Sequence, residues 1–331
     1  MSFPEYYLPC GADGEDMTAA IEEKLNLYGA CRLGKGVYTV SGIRMPEGST
    51  LTGIGGATKL LLQPDLPAGH TVVLDSYCTV RDLMVMGATE PIELPEAVGD
   101  RHGLCFLGDA TPKDYQNEAQ HSMISGCFIH GFTGGGITCT DTGYSSRSSL
   151  NVTDCQIWNC GAGINITHFS EYHRFTGVSC DRCLYGCINN GGNNVFTNCG
   201  FNSNVLGFLI DNSRGQSNNN SHGSAVGCTF NHSGGNGGIG IQILGAGSGY
   251  SFTGCQLFFS HIILENSDDI LFAGLNTGRK VEIHIKGGKL TTFTGCTFGN
   301  PPDAITVEDN ALVKFVDCWT RDGIPVLGPA Q

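Results

Sequence analysis

The sequence predicts an all-β solenoid of parallel strands, and three observations carry that prediction. The string Phe-Thr-Gly-Cys occurs whole at residues 252–255 and 293–296, with looser copies ending at Cys127, Cys155, Cys199, Cys228 and Cys318. Most steps between copies are about 20–30 residues, the period of a solenoid coil. Alternating runs rich in isoleucine follow the copies, at residues 137–139, 164–166, 240–243, 262–264, 283–285 and 305–307. Two strands and their turns in so short a repeat leave no room for a crossover helix, which excludes leucine-rich and other helix-bearing solenoids.

Taken in order, the chain opens with one helical pattern. Between Gly11 and Gly29, Ile21, Leu25 and Tyr28 fall on one face, Asp16 stands where a cap is needed, and Gly29 follows the last turn. Short strands come next at residues 37–40, 49–52 and 59–62, divided by Gly and Pro turns. The helix then closes the open end of the strand stack, whose backbone groups would otherwise be unpaired. Residues 1–48 are read as this cap and residues 49–331 as coils. Each coil is expected to hold two strands, the Cys-motif strand and the Ile strand. Alternation turns Ile and Val inward and Thr, Asn, Gln or His outward.

Composition narrows the function. Glycine, at 49 of 331 residues, is about twice its usual ~7% share and clusters between apolar runs, where it makes turns. The 16 cysteines fall mostly at one phase of the repeat and are read as reduced, small, inward-facing side chains. Cys180, Cys183 and Cys187 lack a second Cys or His group at ligand spacing, so no metal and no cofactor are expected. A net charge of −13 without a basic run excludes nucleic acid as a partner. No run approaches ~20 apolar residues, so no membrane span is expected. The first residues do not read as a signal segment.

The stretch Cys10-Gly11-Ala12-Asp13-Gly14-Glu15-Asp16-Met17-Thr18-Ala19-Ala20-Ile21, then Gly34-Lys35-Gly36-Val37-Tyr38 and Leu51-Thr52-Gly53-Ile54-Gly55-Gly56, resembles the N-terminal signature of pectin-lyase-like proteins. The subgroup it suggests includes phage tail spikes and bacterial polysaccharide lyases or glycoside hydrolases. The resemblance implies a single-stranded right-handed parallel β-helix with a short N-terminal capping helix. It also implies a polysaccharide or surface-glycan partner, a homotrimer, and a location in the bacterial cytoplasm or in a virion released by lysis. The polygalacturonase motifs Asn-Thr-Asp and Gly-His-Gly are absent, as is the calcium-binding aspartate set of pectate lyases.

Chemistry is expected where long loops follow the Ile strands. Loops at residues 109–121, 141–148, 168–174 and 211–222 belong to successive coils about 4.8 Å apart and are expected to stack into a wall beside a groove. Tyr115, Tyr144, Tyr172, Arg147 and Arg214 are candidate sugar-binding residues in that wall, and Glu171, Asp211, Asp141, His173 and Arg174 are candidate catalytic groups. Hydrolysis of a glycosidic bond needs two carboxyls about 5–5.5 Å apart for retention or ~6.5–9.5 Å for inversion. Glu171 with Asp211, about two coils apart, is the leading pair and favours inversion. Elimination would use Tyr172, His173 or Arg174 as base and cation instead. An Asp at a strand end, as at 141 and 211, also caps its own turn. The function expected is a carbohydrate-active enzyme, glycoside hydrolase or polysaccharide lyase. The alternative is a non-catalytic glycan-binding or structural protein of the tail-spike kind.

Overall fold

A computed structural model describes residues 5–107, 119–140, 147–167, 170–213, 222–235, 237–245, 249–299, 304–308 and 311–327. They fall into two compact units, residues 1–165 with 169–179 and residues 166–168 with 180–331. Both are wound as right-handed parallel β-helix. Among the described residues no helix is long and apolar enough to cross a membrane.

The capping helix runs Thr18–Tyr28, beginning later than the sequence pattern suggested. Asp16 accepts the Thr18 amide at 3.0 Å and the Thr18 hydroxyl at 2.7 Å, and it forms a parallel bridge with Thr39, so the chain is still extended there. Ile21 and Leu25 are buried as expected, whereas Tyr28 is exposed beneath the ammonium of Lys24. Gly29 ends the helix in the left-handed region, φ 64°, donating to the Leu25 carbonyl.

Each regular coil contains three strands, one more than the sequence suggested. In the first unit, Thr50–Leu62 and Thr79–Met86 each bend to serve as first and second strands, and Met123–Ser125, Asn151–Thr153 and Arg174–Thr176 continue the first sheet. In the second unit the first strands run from Asn194–Thr197 through Gly223–Val226, Tyr250–Thr253, Ile270–Ala273 and Thr291–Thr294 to Val313–Val316. The extra strand follows the cysteine and is as short as Gln256–Leu257, too short to leave a period in the sequence. Third strands carry the Ile alternation, as in Ile283–Lys286, where isoleucines are buried and His284 and Lys286 exposed.

The turn between first and second strands explains the repeated motif. The residue before the motif cysteine has φ between 50° and 65° at Gly126, Asp154, Asn198, Gly227, Gly254, Gly295 and Asp317. Gly, Asn and Asp are the residues for which that region costs least. Except at Asp317, in the last coil, each such turn amide donates to the next coil, as Gly126 does to Thr153 (3.1 Å), Gly227 to Thr253 (2.9 Å) and Gly295 to Val316 (2.9 Å). The same carbonyls have a cysteine sulfur close by from inside: Cys155 at 3.3 Å, Cys255 at 3.6 Å and Cys318 at 3.4 Å. A thiol is a weak donor small enough for the core, so it fills the second lone pair of a buried carbonyl. All 16 cysteines are free, and all but Cys10 are buried.

Inward positions stack in register. In the second unit Phe252, Phe272, Phe293 and Phe315 form a column with ring centroids 4.9, 4.9 and 5.1 Å apart and planes within 12°. Such pairs add ~0.5–1.5 kcal/mol beyond area burial. Where Ala225 interrupts the column, Tyr250 packs on Phe252 and Phe208 to fill the space.

The turn stack carries a spacing rule. A β-carbon on Gly126 would lie 2.8 Å from the Asp82 carboxylate of the coil before it, and the coil after it carries Asp154. One on Gly254 meets nothing within 4 Å. Gly126→Asp is therefore expected to lose about 1–3 kcal/mol through crowding and like-charge repulsion, and Gly254→Asp to stay within about 1 kcal/mol of the parent, measured by denaturant unfolding.

Candidate functional site

Three short strands of the first unit form a common ladder. Ala119–Gln120, Arg147–Ser148 and Ser170–Glu171 pair in parallel as a separate three-stranded sheet. Each of these strands ends three residues before a first strand, Met123–Ser125, Asn151–Thr153 and Arg174–Thr176. Tyr115, Asp141, Tyr144 and Arg214 lie outside the described residues, as does the side chain of Arg147.

Immediately after the ladder the chain turns a sharp corner into the first sheet. The corner residues are His121, Ser149 and Tyr172, with Tyr77 in the coil before them, at φ 56°, 65°, 59° and 58°. Bulky side chains pay ~1–2 kcal/mol for this region, so aromatic residues here are unusual. The conformation points them outward: Tyr77 is 51% and Tyr172 53% exposed. The rings of Tyr77 and His121 are 5.8 Å apart. Tyr77 and His121 escaped the sequence reading. Their signal is the recurring order of corner, inward, outward, inward in Tyr77-Cys78-Thr79-Val80, His121-Ser122-Met123-Ile124, Ser149-Leu150-Asn151-Val152 and Tyr172-His173-Arg174-Phe175.

That order also divides the Glu171–Arg174 run, whose four members the sequence presents as equals. Glu171 ends a ladder strand, half-buried, and its carbonyl accepts the Ser149 amide at 3.1 Å. Tyr172 stands on the corner, and Arg174 is exposed on the outer face of the first sheet beside Asn151. His173 is completely buried, which corrects its expected place in the groove. Its Nδ1 accepts the Leu150 amide at 3.1 Å, which puts the ring proton on Nε2, 2.7 Å from the Ser170 hydroxyl. Phe106 and Phe175 flank the ring. Burial pushes its pKa down to about 3. His173 is thus an internal staple between coils, as is Ser122, whose hydroxyl accepts the Cys78 amide at 3.0 Å and donates to the Asp75 carbonyl at 2.6 Å.

Asp211 belongs to the second unit, whereas Glu171 belongs to the first. Its Oδ1 accepts the Ser213 amide at 3.0 Å and the Ser213 hydroxyl at 2.5 Å, so the carboxylate caps its own turn.

The first unit therefore presents a strip along neighbouring coils: the corner residues Tyr77, His121, Ser149 and Tyr172, with Glu171 on one flank and Arg174 on the other. Aromatic faces, a carboxyl and a guanidinium on one strip suit a hydroxylated, extended ligand.

No family model and no curated protein sequence matches the chain. Solved structures match it over nearly its whole length. The A-module of the mannuronan C-5 epimerase AlgE4 from Azotobacter vinelandii is 12% identical, covering 96% of each chain with a TM-score of 0.61. The enzymatically active domain of bacteriophage CBA120 tailspike protein 2 is 14% identical, covering 93% of this chain and 45% of that one, TM-score 0.56. The catalytic domain of a GH87 alpha-1,3-glucanase, solved with nigerose, is 13% identical, covering 97% and 69%, TM-score 0.51. The chain spans less than half of the tailspike domain. The fold is that of the pectin-lyase-like right-handed parallel β-helix.

The buried state of His173 has a pH consequence. The folded chain keeps the ring neutral down to about pH 3, while the unfolded chain protonates it near the ordinary value of 6.5. Its stabilisation is complete above pH 6.5 and is lost as pH falls from there toward 3. His173→Gln, which keeps an acceptor but does not titrate, is expected to flatten the melting temperature against pH across that window. Some slope remains, because His102, pushed down to about 4 chiefly by burial, acts in the same direction.

Proposed function

We propose that the chain is a carbohydrate-active protein that holds a polysaccharide along the corner strip of its first unit and cleaves it there by acid/base chemistry. The observation that carries this reading is the row Tyr77, His121, Ser149 and Tyr172, a set of outward residues on successive coils flanked by Glu171 and Arg174. Similarity to a mannuronan epimerase, to an enzymatically active tailspike domain and to a glucanase solved with a disaccharide supports a glycan as the ligand.

In this reading Glu171, half-buried and next in the chain to Tyr172, is the general acid, and Arg174 anchors a hydroxyl or carboxylate of the same sugar. Asp141 is the second carboxyl. In the sequence it follows Gly135–Thr140 and precedes Arg147–Ser148, the strand paired with Ser170–Glu171. Asp211 is left to its turn.

A glycan panel with product analysis tests the reading. Glu171→Gln is expected to lower cleavage by about 10²–10⁴-fold while leaving binding in place. Tyr77→Ala and Tyr172→Ala are each expected to weaken binding about tenfold, ~1.4 kcal/mol. New reducing ends would mark hydrolysis and unsaturated ends elimination. Retention on glycan columns without any product from the parent chain would favour the non-catalytic, tail-spike-like alternative. Full activity in Glu171→Gln would remove the acid assignment.

A further inference from the structure

The glycine-rich stretch Thr52-Gly53-Ile54-Gly55-Gly56, singled out in the sequence, builds a second feature of the first unit. Within Thr50–Leu62 the ladder shifts register between Thr52 and Gly55. The bulge is pinned by Thr58, whose hydroxyl accepts the Ile54 amide at 2.9 Å and donates to the Gly34 carbonyl at 2.8 Å. A β-carbon on Gly53 would sit 2.6 Å from the Asp82 carbonyl, so only glycine permits this close approach. Over the bulge lies a cavity of about 460 Å3, whose lining includes Tyr6, Arg32, Thr52, Gly53, Arg81 and Asp82.

Arg32 and Arg81 occupy one outward row of the first sheet, with Thr52 between them in register. They are two strand steps apart, roughly 9.6 Å. Both are exposed, and among the described residues neither guanidinium has an ion-pair or hydrogen-bond partner. Two unpaired forks facing one cavity are unexpected on a chain of net charge −13, where carboxylates outnumber cations. A guanidinium binds a carboxylate through two parallel hydrogen bonds, which gives it a geometric preference that a point charge lacks. Beside them in the lining, the polar residues Tyr6, Thr50, Thr52 and Asp82 are suited to hydroxyl groups.

We infer that this cavity is a binding site for an acidic saccharide, with Arg32 and Arg81 each gripping a carboxylate of one chain and Asp82 and Tyr6 reading its hydroxyls. The site shares no residue with the corner strip and performs no chemistry. It tethers an acidic glycan at the capped end of the unit.

Titration of the full chain with a galacturonate trimer, with maltotriose as the neutral probe and inorganic phosphate as competitor, tests the inference. The acidic trimer is expected to bind at least tenfold more tightly than maltotriose. Arg32→Gln and Arg81→Gln should each weaken it at least tenfold at an unchanged melting temperature, and Arg81→Lys by nearly as much, because the fork is lost. Tyr172→Ala should leave this binding unaltered, whatever it does at the corner strip. Equal affinity for the two trimers, or binding unchanged in both arginine-to-glutamine variants, would overturn the site. Displacement of the trimer by phosphate at equal concentration would overturn the saccharide assignment. Loss in Tyr172→Ala alone would return the ligand to the corner strip.

Discussion

The structure depends on how the carbonyl at the turn between first and second strands is satisfied in each coil. At the turn between first and second strands, the left-handed residue donates its amide to the carbonyl of the next coil, and where that coil carries the motif cysteine its sulfur approaches the same oxygen from inside, whereas Val178 and Leu275 fill the position in two coils. A carbonyl has two lone pairs, and leaving a buried polar group half-satisfied is costly. The arrangement ties each coil to its neighbour at a fixed angular position. The motif is therefore repeated because the turn repeats, and the thiols need neither a metal nor a disulfide to account for them.

Fixing one corner fixes the phase of everything after it. The phenylalanine column of the second unit and the returning ladder of the first both follow from registers set at that turn. A parallel stack converts a position in the repeat into a line on the surface. Tyr77, His121, Ser149 and Tyr172 form such a line because each stands two residues before a first strand, at the same left-handed corner. The residue after each of them points inward, which is why Ser122 and His173 staple coils together one residue away from exposed side chains.

Much of the fold was legible in the sequence because the core repeats at one phase. The cysteine copies marked the coils, and the isoleucine runs marked the third strands. The second strands left no trace, since two or three residues cannot display alternation, as at Asn276–Thr277. The helix begins later than its pattern suggests because Asp16, which accepts the Thr18 amide, is still extended in a bridge with Thr39. Less of the site could be read. The density of functional groups singles out Glu171 to Arg174 in the sequence, but density says nothing of direction, and His173 turns inward. Asp211 was open to two readings, and its bonds to Ser213 select the turn cap. Tyr77 and His121 have no dense neighbourhood, and only alignment of the corners reveals them.

Native-state thiol labelling tests the central claim most directly, since most turns between first and second strands turn a cysteine inward. Mass spectrometry after brief exposure of the folded chain to a small alkylating reagent should find one adduct, at Cys10, and 16 after unfolding in guanidinium. Rapid modification of Cys155, Cys199, Cys255 or Cys296 in the folded chain would contradict the account, because the turns would then face solvent and the corner strip would lose its basis.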